Sequence, residues 1–135
     1  MSRQSSPWAG IPSLAPTNCW WVRSSQCRRT RSGRAVLQDA FCPHLGAHLG
    51  YKGRVVGESV RCPFHGWQFG AEDGKCVKIP YCDEIPERAQ LRTWHVEEKN
   101  GEVYVWFHPE NTAPEWGLPE LPELGDPNWS TPRYT

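Results

Sequence analysis

Hydrophobic and polar positions alternate along this chain only over short stretches, and a turn signal ends each of them. Stretches of this length, lying between Gly, Asn and Asp residues, are typical of β-hairpins. The pair Asn100-Gly101 is the strongest of these signals, because both positions of a two-residue hairpin turn favour positive φ. Three hairpins are predicted, joining residues 54–56 to 59–61, 67–69 to 76–79, and 91–96 to 102–107.

The rest of the pattern also favours strands over helices. Residues 35–41 predict a strand that leads directly into Cys42. In the last hairpin Val103, Val105 and Phe107 alternate with polar and aromatic neighbours, so we expect one aliphatic face. No window carries a helical apolar stripe longer than two turns. The predicted class is all-β, a small antiparallel sandwich or barrel.

Composition narrows the class of function. The chain has 135 residues, enough for one ordinary domain. Its 15 Lys and Arg balance its 15 Asp and Glu, which argues against a nucleic-acid binder that relies on bulk positive charge. No apolar run approaches the roughly 18 residues of a transmembrane helix, and no secretory signal opens the chain. We therefore expect an intracellular protein without a transmembrane segment in this chain.

Three regions of the chain differ in composition. Residues 1–34 are rich in Arg, Ser and Pro and contain no acidic residue, so we expect this start to be disordered or ill-defined. Residues 35–108 hold the predicted strands and form the expected domain. Residues 109–135 contain six of the 13 Pro, and because each Pro fixes φ and removes a donor, this segment is predicted to be an extended linker.

Two short and similar motifs carry candidate chemistry. Cys42-Pro43-His44 is followed, after 17 residues, by Cys62-Pro63-Phe64-His65, which reads C-x-H and then C-x-x-H. The motifs bring two thiolates and two imidazoles together on two loops joined by a hairpin. Gly46 and Gly66 close the loops, since Gly permits tight turns and a close approach of backbone N–H groups to a sulfur ligand.

This set of side chains suits two kinds of metal site. A [2Fe–2S] cluster with two Cys on one iron and two His on the other is the Rieske arrangement. A structural zinc ion takes the same four ligands, in a binding module with no redox role. A zinc finger usually places its His pair on a helix, three to five residues apart, which this chain does not do. The iron–sulfur interpretation is favoured, and the zinc module is the alternative.

Residues 41–50 and 62–69, with the stretches at 72–76 and 79–81 that follow, resemble the Rieske domain of Rieske-type non-haem iron oxygenases, and among these the sterol branch. The resemblance implies a small Rieske-type antiparallel β-sandwich with a cluster-binding subdomain of two loops. It also implies one [2Fe–2S] cluster per chain and an oxidoreductase that transfers single electrons. Matched residue by residue, the cluster ligands are Cys42, His44, Cys62 and His65.

Further expectations follow from the resemblance. The resemblance implies a reductase or a ferredoxin as the electron donor of this protein, and a sterol as its substrate. High-potential respiratory Rieske proteins carry an extra Cys in each loop, where this chain has Ala47 and Phe64, so the oxygenase type is expected. Such oxygenases also hold a mononuclear Fe(II) by two His and a carboxylate. His95 and His108, the only His after the motifs, do not form such a set.

We therefore expect a fragment that lacks the catalytic domain and is not competent in catalysis alone, with 109–135 leading toward that domain. Membrane association is expected only from the resemblance. Three other residues are expected to stay outside the cluster site. His48 is predicted to be a loop residue, and Cys76 and Cys82 are predicted to be free thiols, as in a reducing cell.

Overall fold

The computed structural model describes residues 8–11 and 25–130, and within these ranges the chain forms nine strands, one 3₁₀ helix and no α-helix. The predicted all-β class is confirmed. No helix in the described residues is long and apolar enough to span a membrane. The elements are β1 (Trp8–Ile11), β2 (Ser25–Arg29), β3 (Ala35–Asp39), β4 (Arg54–Val56), β5 (Ser59–Arg61), β6 (Gln68–Gly70), β7 (Cys76–Lys78), β8 (Thr93–Lys99), β9 (Glu102–Trp106) and the helix Pro122–Gly125.

The strands form two antiparallel sheets. A five-stranded sheet has the order β1-β9-β8-β3-β2, and a four-stranded sheet has the order β4-β5-β6-β7. The three predicted hairpins are confirmed as the pairs β4–β5, β6–β7 and β8–β9. Asn100 and Gly101 both have positive φ, 55° and 75°, as the turn between β8 and β9 requires. Local turn chemistry therefore sets the register of these pairs.

A compact apolar core packs against one face of the four-stranded sheet. Phe69, Leu91 and Val60 are almost completely buried and pack with the two motif cysteines, Cys42 and Cys62. Fully burying an aromatic or aliphatic side chain of this size stabilises the folded state by about 1.5–3 kcal/mol. The side of this core that carries Cys42 and Cys62 is thus held by hydrophobic packing rather than by the loops alone.

A buried polar network joins the two sheets. Gln38 on β3 is fully buried, and its Nε2 donates to the Gly70 carbonyl on β6 at 2.8 Å and to Thr93 Oγ1 at 3.0 Å. Its Oε1 accepts a hydrogen bond from Arg28 Nη1 at 2.8 Å. Because the side-chain amide of Gln38 both donates and accepts hydrogen bonds, the network connects β2, β3, β8 and β6.

The structure differs from the sequence-based expectation at residues 25–34, within the start predicted to be disordered or ill-defined. β2 lies there and pairs with β3 over its whole length, from Ser25 opposite Asp39 to Arg29 opposite Ala35. The predicted domain boundary at residue 35 therefore leaves out a strand. The strand was not predicted because its composition is polar. In the structure its Arg28 is nevertheless buried, in the hydrogen-bonded network around Gln38. Residues 1–7 and 12–24 of that start lie outside the described residues.

The segment after β9 runs along the β8–β9 turn. Lys99 Nζ donates to the Leu118 carbonyl at 2.6 Å, and Asn100 Nδ2 donates to the Pro119 carbonyl at 3.0 Å. Asn100 Oδ1 in turn accepts from the Leu121 N–H at 2.9 Å. The predicted linker is therefore attached to the domain by hydrogen bonds at 118–121, and beyond them its residues up to 130 are exposed.

Glu98 provides a pH-dependent contact between β8 and the β2–β3 hairpin. Its Oε1 accepts from Arg29 Nη1 at 2.6 Å, and its Oε2 accepts from the Ala35 N–H at 3.2 Å. The hydrogen bond from Arg29, assisted by that from Ala35, holds the pKa of the Glu98 carboxyl below its usual range. A lowered pKa in the folded state means stabilisation that is present above the usual carboxyl pKa and is lost as the pH falls through the folded value.

We expect Glu98→Gln to lower the thermal unfolding midpoint at pH 6 to 7 and to lose this effect as the pH falls below about 4. The measurement is a series of thermal unfolding curves for both proteins between pH 7 and pH 3. The matched control, Glu102→Gln, changes an exposed carboxylate on the same hairpin. A midpoint difference for Glu98→Gln that is constant over the whole pH range would contradict this role.

Candidate metal centre

The two motif loops have the same backbone conformation. In the first, the Cys42 N–H donates to the Ala47 carbonyl at 2.9 Å, and the Gly46 N–H donates to the Cys42 carbonyl at 2.9 Å. In the second, the Cys62 N–H donates to the Trp67 carbonyl at 2.7 Å, and the Gly66 N–H donates to the Cys62 carbonyl at 3.2 Å. Each loop is therefore a closed turn with the same spacing from cysteine to glycine.

Glycine is required where each loop closes. Gly46 and Gly66 have φ of 77° and 76°, a left-handed conformation that side chains with a Cβ rarely adopt. The loops follow β3 and β5, so each cysteine comes within three residues of the end of a strand. The two loops meet because Cys42 and Cys62, at the base of each loop, are buried in the same apolar core.

The four predicted ligands come together in two pairs. Cys42 and Cys62 are both only 3% exposed and share the apolar core. The imidazole rings of His44 and His65 lie 4.8 Å apart between centroids, at 77° to each other. Both histidines are half-buried. The cysteine pair is therefore on the inner side of the centre and the histidine pair is nearer the surface.

The electrostatic surroundings of Cys42 favour the neutral thiol. Burial, together with the neighbouring Cys62 thiol, raises the pKa of Cys42 to about 11. Hydrogen bonds from the backbone N–H groups of His44 and Leu45 to this sulfur act in the opposite direction. A thiolate is thus disfavoured without a metal and is already provided with N–H donors once a metal removes the proton, as a cluster ligand requires.

His65 supplies a separate test of fit. Its Nδ1 is buried and accepts or donates no hydrogen bond within the described part of the chain. An unpaired polar atom in a buried place costs free energy unless a partner occupies it. A buried imidazole nitrogen beside the His44 imidazole fits metal coordination, which supplies the missing partner.

The grouping in pairs also bears on the kind of metal. Across residues 8–11 and 25–130, no three His, Cys, Asp or Glu side chains converge closely enough to hold one ion. A tetrahedral zinc ion needs all four ligands within one coordination sphere. A two-iron cluster needs only that the two Cys meet at one iron and the two His at the other. The donor set, a buried pair of Cys and a neighbouring pair of His, matches the ligands of a [2Fe–2S] cluster.

Aromatic side chains enclose the histidine pair. Trp67 is buried, and its indole ring stacks on the His44 imidazole at 4.4 Å between centroids and 12° between planes. Trp67 Nε1 donates to the Tyr81 hydroxyl at 2.7 Å. On the other side Phe64 contacts the His65 ring at 4.0 Å between centroids. These contacts fix the planes of both imidazoles.

Sequence analysis did not identify Tyr81 as part of the site. It lies 14 positions after Trp67 in an irregular segment, so no periodicity links the two residues. The run Ile79-Pro80-Tyr81 was noted only within the family resemblance. Pro80 does carry a signal, because it packs close to Gly66 and so brings Tyr81 beside the second loop.

Three other candidate residues lie outside the set. His48 Nδ1 accepts a hydrogen bond from the Gly50 N–H at 3.1 Å, and its ring packs between Phe41 and Tyr51. Cys76 and Cys82 are free thiols, as predicted, and each donates to a nearby backbone carbonyl. His48 is therefore a loop residue with local contacts, which agrees with the expectation from sequence.

Two curated proteins are similar to this chain over about three quarters of its length. A cholesterol 7-desaturase of Xenopus laevis is 48% identical over 101 residues, which are 75% of this chain and 22% of that protein. The oxygenase component of a probable 3-ketosteroid-9-alpha-monooxygenase of Rhodococcus rhodochrous is 42% identical over 100 residues, 73% of this chain and 25% of that protein. This chain thus spans about a quarter of the length of these two curated relatives.

Solved structures agree as well. A crystal structure of apo dicamba monooxygenase superimposes with a TM-score of 0.63 and 27% identity, over 75% of this chain and 31% of that one. The family model described as Rieske [2Fe-2S] domain matches residues 21–95, and this range includes β2 and both cysteine–histidine loops. The chain therefore belongs to the Rieske [2Fe–2S] domain family.

Proposed function

We propose that this chain transfers single electrons through a [2Fe–2S] cluster, as the electron-delivery domain of a sterol oxygenase or desaturase. The proposed ligands are Cys42 and Cys62 on one iron and His44 and His65 on the other. The observation that carries the proposal is the meeting of two equal loops, with a buried thiol pair below a half-buried imidazole pair. When bound, the cluster supplies a centre that gains or loses one electron with little rearrangement of the two loops that hold it.

The ligand types determine the range of the reduction potential. Neutral imidazoles at one iron make the centre less negative than four thiolates do, so that an added electron is better tolerated. Ala47 and Phe64 stand where a potential-raising disulfide would need cysteines. We therefore expect a potential near the lower end of the Rieske range, about −150 mV.

The burial of the four ligands indicates which side of the centre exchanges electrons with a partner. The cysteine side lies in the core, whereas the histidine side is half-exposed and bordered by Phe64, which is 62% exposed. Electron transfer to a redox partner is thus favoured across the histidine edge. Trp67 excludes water from one face of His44 and keeps that imidazole in a single orientation.

The wider context is proposed from the relatives. Relatives of the sterol branch are named for cholesterol and 3-ketosteroids. In this proposal the cluster receives electrons from a reductase or ferredoxin and passes them to a mononuclear Fe(II) in a catalytic domain that follows the 109–135 linker. We propose a reducing, intracellular compartment, in which thiols such as Cys76 and Cys82 stay unpaired.

The first prediction from this proposal concerns the metal itself. We expect the purified chain to be red-brown, with two irons and two acid-labile sulfides for each chain, since each half of the site provides one pair of ligands. After reduction with dithionite it should give a Rieske-type EPR signal. Iron and sulfide analysis measures the content of the cluster, and the EPR spectrum measures its type. A colourless protein with one zinc for each chain would replace the proposal by a zinc-stabilised binding module.

The second prediction separates ligand from non-ligand histidine. His65→Cys should retain a cluster of lower potential, because a thiolate adds negative charge at the second iron. His48→Cys is the matched control and should leave the potential unchanged, since His48 makes only local contacts. Redox titration followed by EPR measures both. Equal potentials in His65→Cys and the parent chain would contradict the assignment of His65.

The third prediction concerns the Trp67–Tyr81 hydrogen bond. Tyr81→Phe should lower the free energy of unfolding by about 1 kcal/mol, because the buried indole N–H loses its acceptor. It should also change the ¹⁵N coupling of the His44 imidazole in pulsed EPR of the reduced protein, because the Trp67 ring that Tyr81 holds stacks on that imidazole. Tyr51→Phe, at an exposed tyrosine beside His48, is the control and should change stability by less than about 0.5 kcal/mol. An unchanged His44 spectrum in Tyr81→Phe would show that Tyr81 does not position this ring.

A further inference from the structure

The strand register aligns basic side chains in a row across the outer face of the four-stranded sheet. Arg54 on β4 lies opposite Arg61 on β5, and Arg61 lies opposite Gln68 on β6. Gln68 in turn lies opposite Lys78 on β7, next to a shift of register between Gln68 and Phe69. Residues directly opposite in antiparallel strands share a face. Arg54, Arg61 and Lys78, which we call the basic row, are all exposed on that face.

The basic row is unusual because the sheet does not neutralise it. Like charges directly opposite in a β-ladder are destabilising, yet Arg54 and Arg61 are such a pair. None of the ion pairs in the described part of the chain includes a member of the row. Outside the row, residues 25–130 hold nine Lys and Arg against 15 Asp and Glu. The row is therefore a positive patch on an otherwise acidic domain.

The row also lies beside the second cluster loop. Arg61 Nε and Nη2 lie 3.3 Å from the position that a Cβ would occupy on Gly66. Gly66 directly follows the proposed ligand His65. The exposed ring of Phe64, which contacts His65, adds an apolar element at the same edge. Aromatic anchors bordered by charged residues are the usual composition of a protein interface.

We infer that the basic row is the docking surface for an acidic electron-donor protein, and this inference rests on the proposed function. An acidic donor is repelled by most of the domain and attracted to the row, which steers encounter toward the loop that carries His65. In the docked complex one electron leaves the reduced donor, and the cluster gains that electron. No atom is transferred, and the donor is oxidised by one electron.

The test compares two reductants on the full 135-residue chain with its cluster. The protein probe is an acidic plant-type ferredoxin, whose potential is lower than that of a Rieske centre, so that transfer is favourable. The small-molecule probe is photoreduced, uncharged deazaflavin, which has no charge to be steered. The variants are Arg54→Glu, Lys78→Glu and the double variant. Arg61 is kept, because its guanidinium contacts the loop itself. Arg88→Glu, at an exposed position outside the row, makes the same change of charge as each single variant.

The expected result is a loss of at least about tenfold in the ferredoxin reduction rate of the double variant at low ionic strength. Each single variant should show part of this loss and Arg88→Glu little of it. In the parent chain the rate should fall as salt rises, and near 1 M salt, where the screening length is about 3 Å, the double variant and parent should converge. Reduction by deazaflavin and the EPR spectrum should stay unchanged throughout.

Three results would overturn the inference. Equal ferredoxin rates in the parent and double variants, with an intact cluster signal, would show that the row does not dock this class of partner. An equal loss in Arg88→Glu would attribute the effect to net charge. Loss of binding to phosphatidylserine vesicles in the double variant, with an unchanged ferredoxin rate, would assign the row to a membrane surface. Absence of any cluster signal in the parent chain would instead count against the proposed function.

Discussion

The burial of two thiols at the bases of two equal turns is the constraint on which this structure depends. Cys42 and Cys62 lie in the same core as Phe69 and Leu91, and their backbone groups close the loops. Burial raises the pKa of Cys42 and so disfavours its ionised form. A bound cation reverses that preference, so cluster binding and the folding of this end of the domain are thermodynamically linked.

The five-stranded sheet acts as a base for this centre. Gln38 bonds to the Gly70 carbonyl across the layers, and Arg28 supports Gln38 from β2. Burial lowers the pKa of Arg28 to about 10, which leaves its guanidinium charged at neutral pH. A buried polar network of this kind permits only one relative placement of the sheets. The rigidity of the base is what lets two short loops hold four ligands in fixed positions.

Much of the fold could be predicted from local sequence. Asn100-Gly101 and Gly57-Glu58 specify their turns through backbone conformation, and the two cysteine–histidine motifs specify their loops in the same way. What could not be predicted depends on contacts between distant residues. The residues of β2 are polar and were not predicted to form a strand. The burial of Arg28 depends on its hydrogen bond to Gln38, ten positions later in the chain.

The basic row and the aromatic contacts show the same limit. Arg54 and Lys78 are 24 positions apart, and only the register of four strands puts them on one line. The predicted aliphatic face of β9 holds for Val103 and Val105, which are buried, but fails at Phe107, which is exposed. Sequence alternation reports the face of a strand only while the strand continues, and β9 ends at Trp106.

The central claim is that two histidine nitrogens and two cysteine sulfurs hold one pair of irons. Pulsed EPR on the reduced protein, with histidine labelled by ¹⁵N, tests this most directly. Two distinct ¹⁵N couplings of directly bound imidazoles are predicted, with one of them lost in His44→Cys and the other in His65→Cys. A reduced centre without any directly bound imidazole nitrogen would contradict the account.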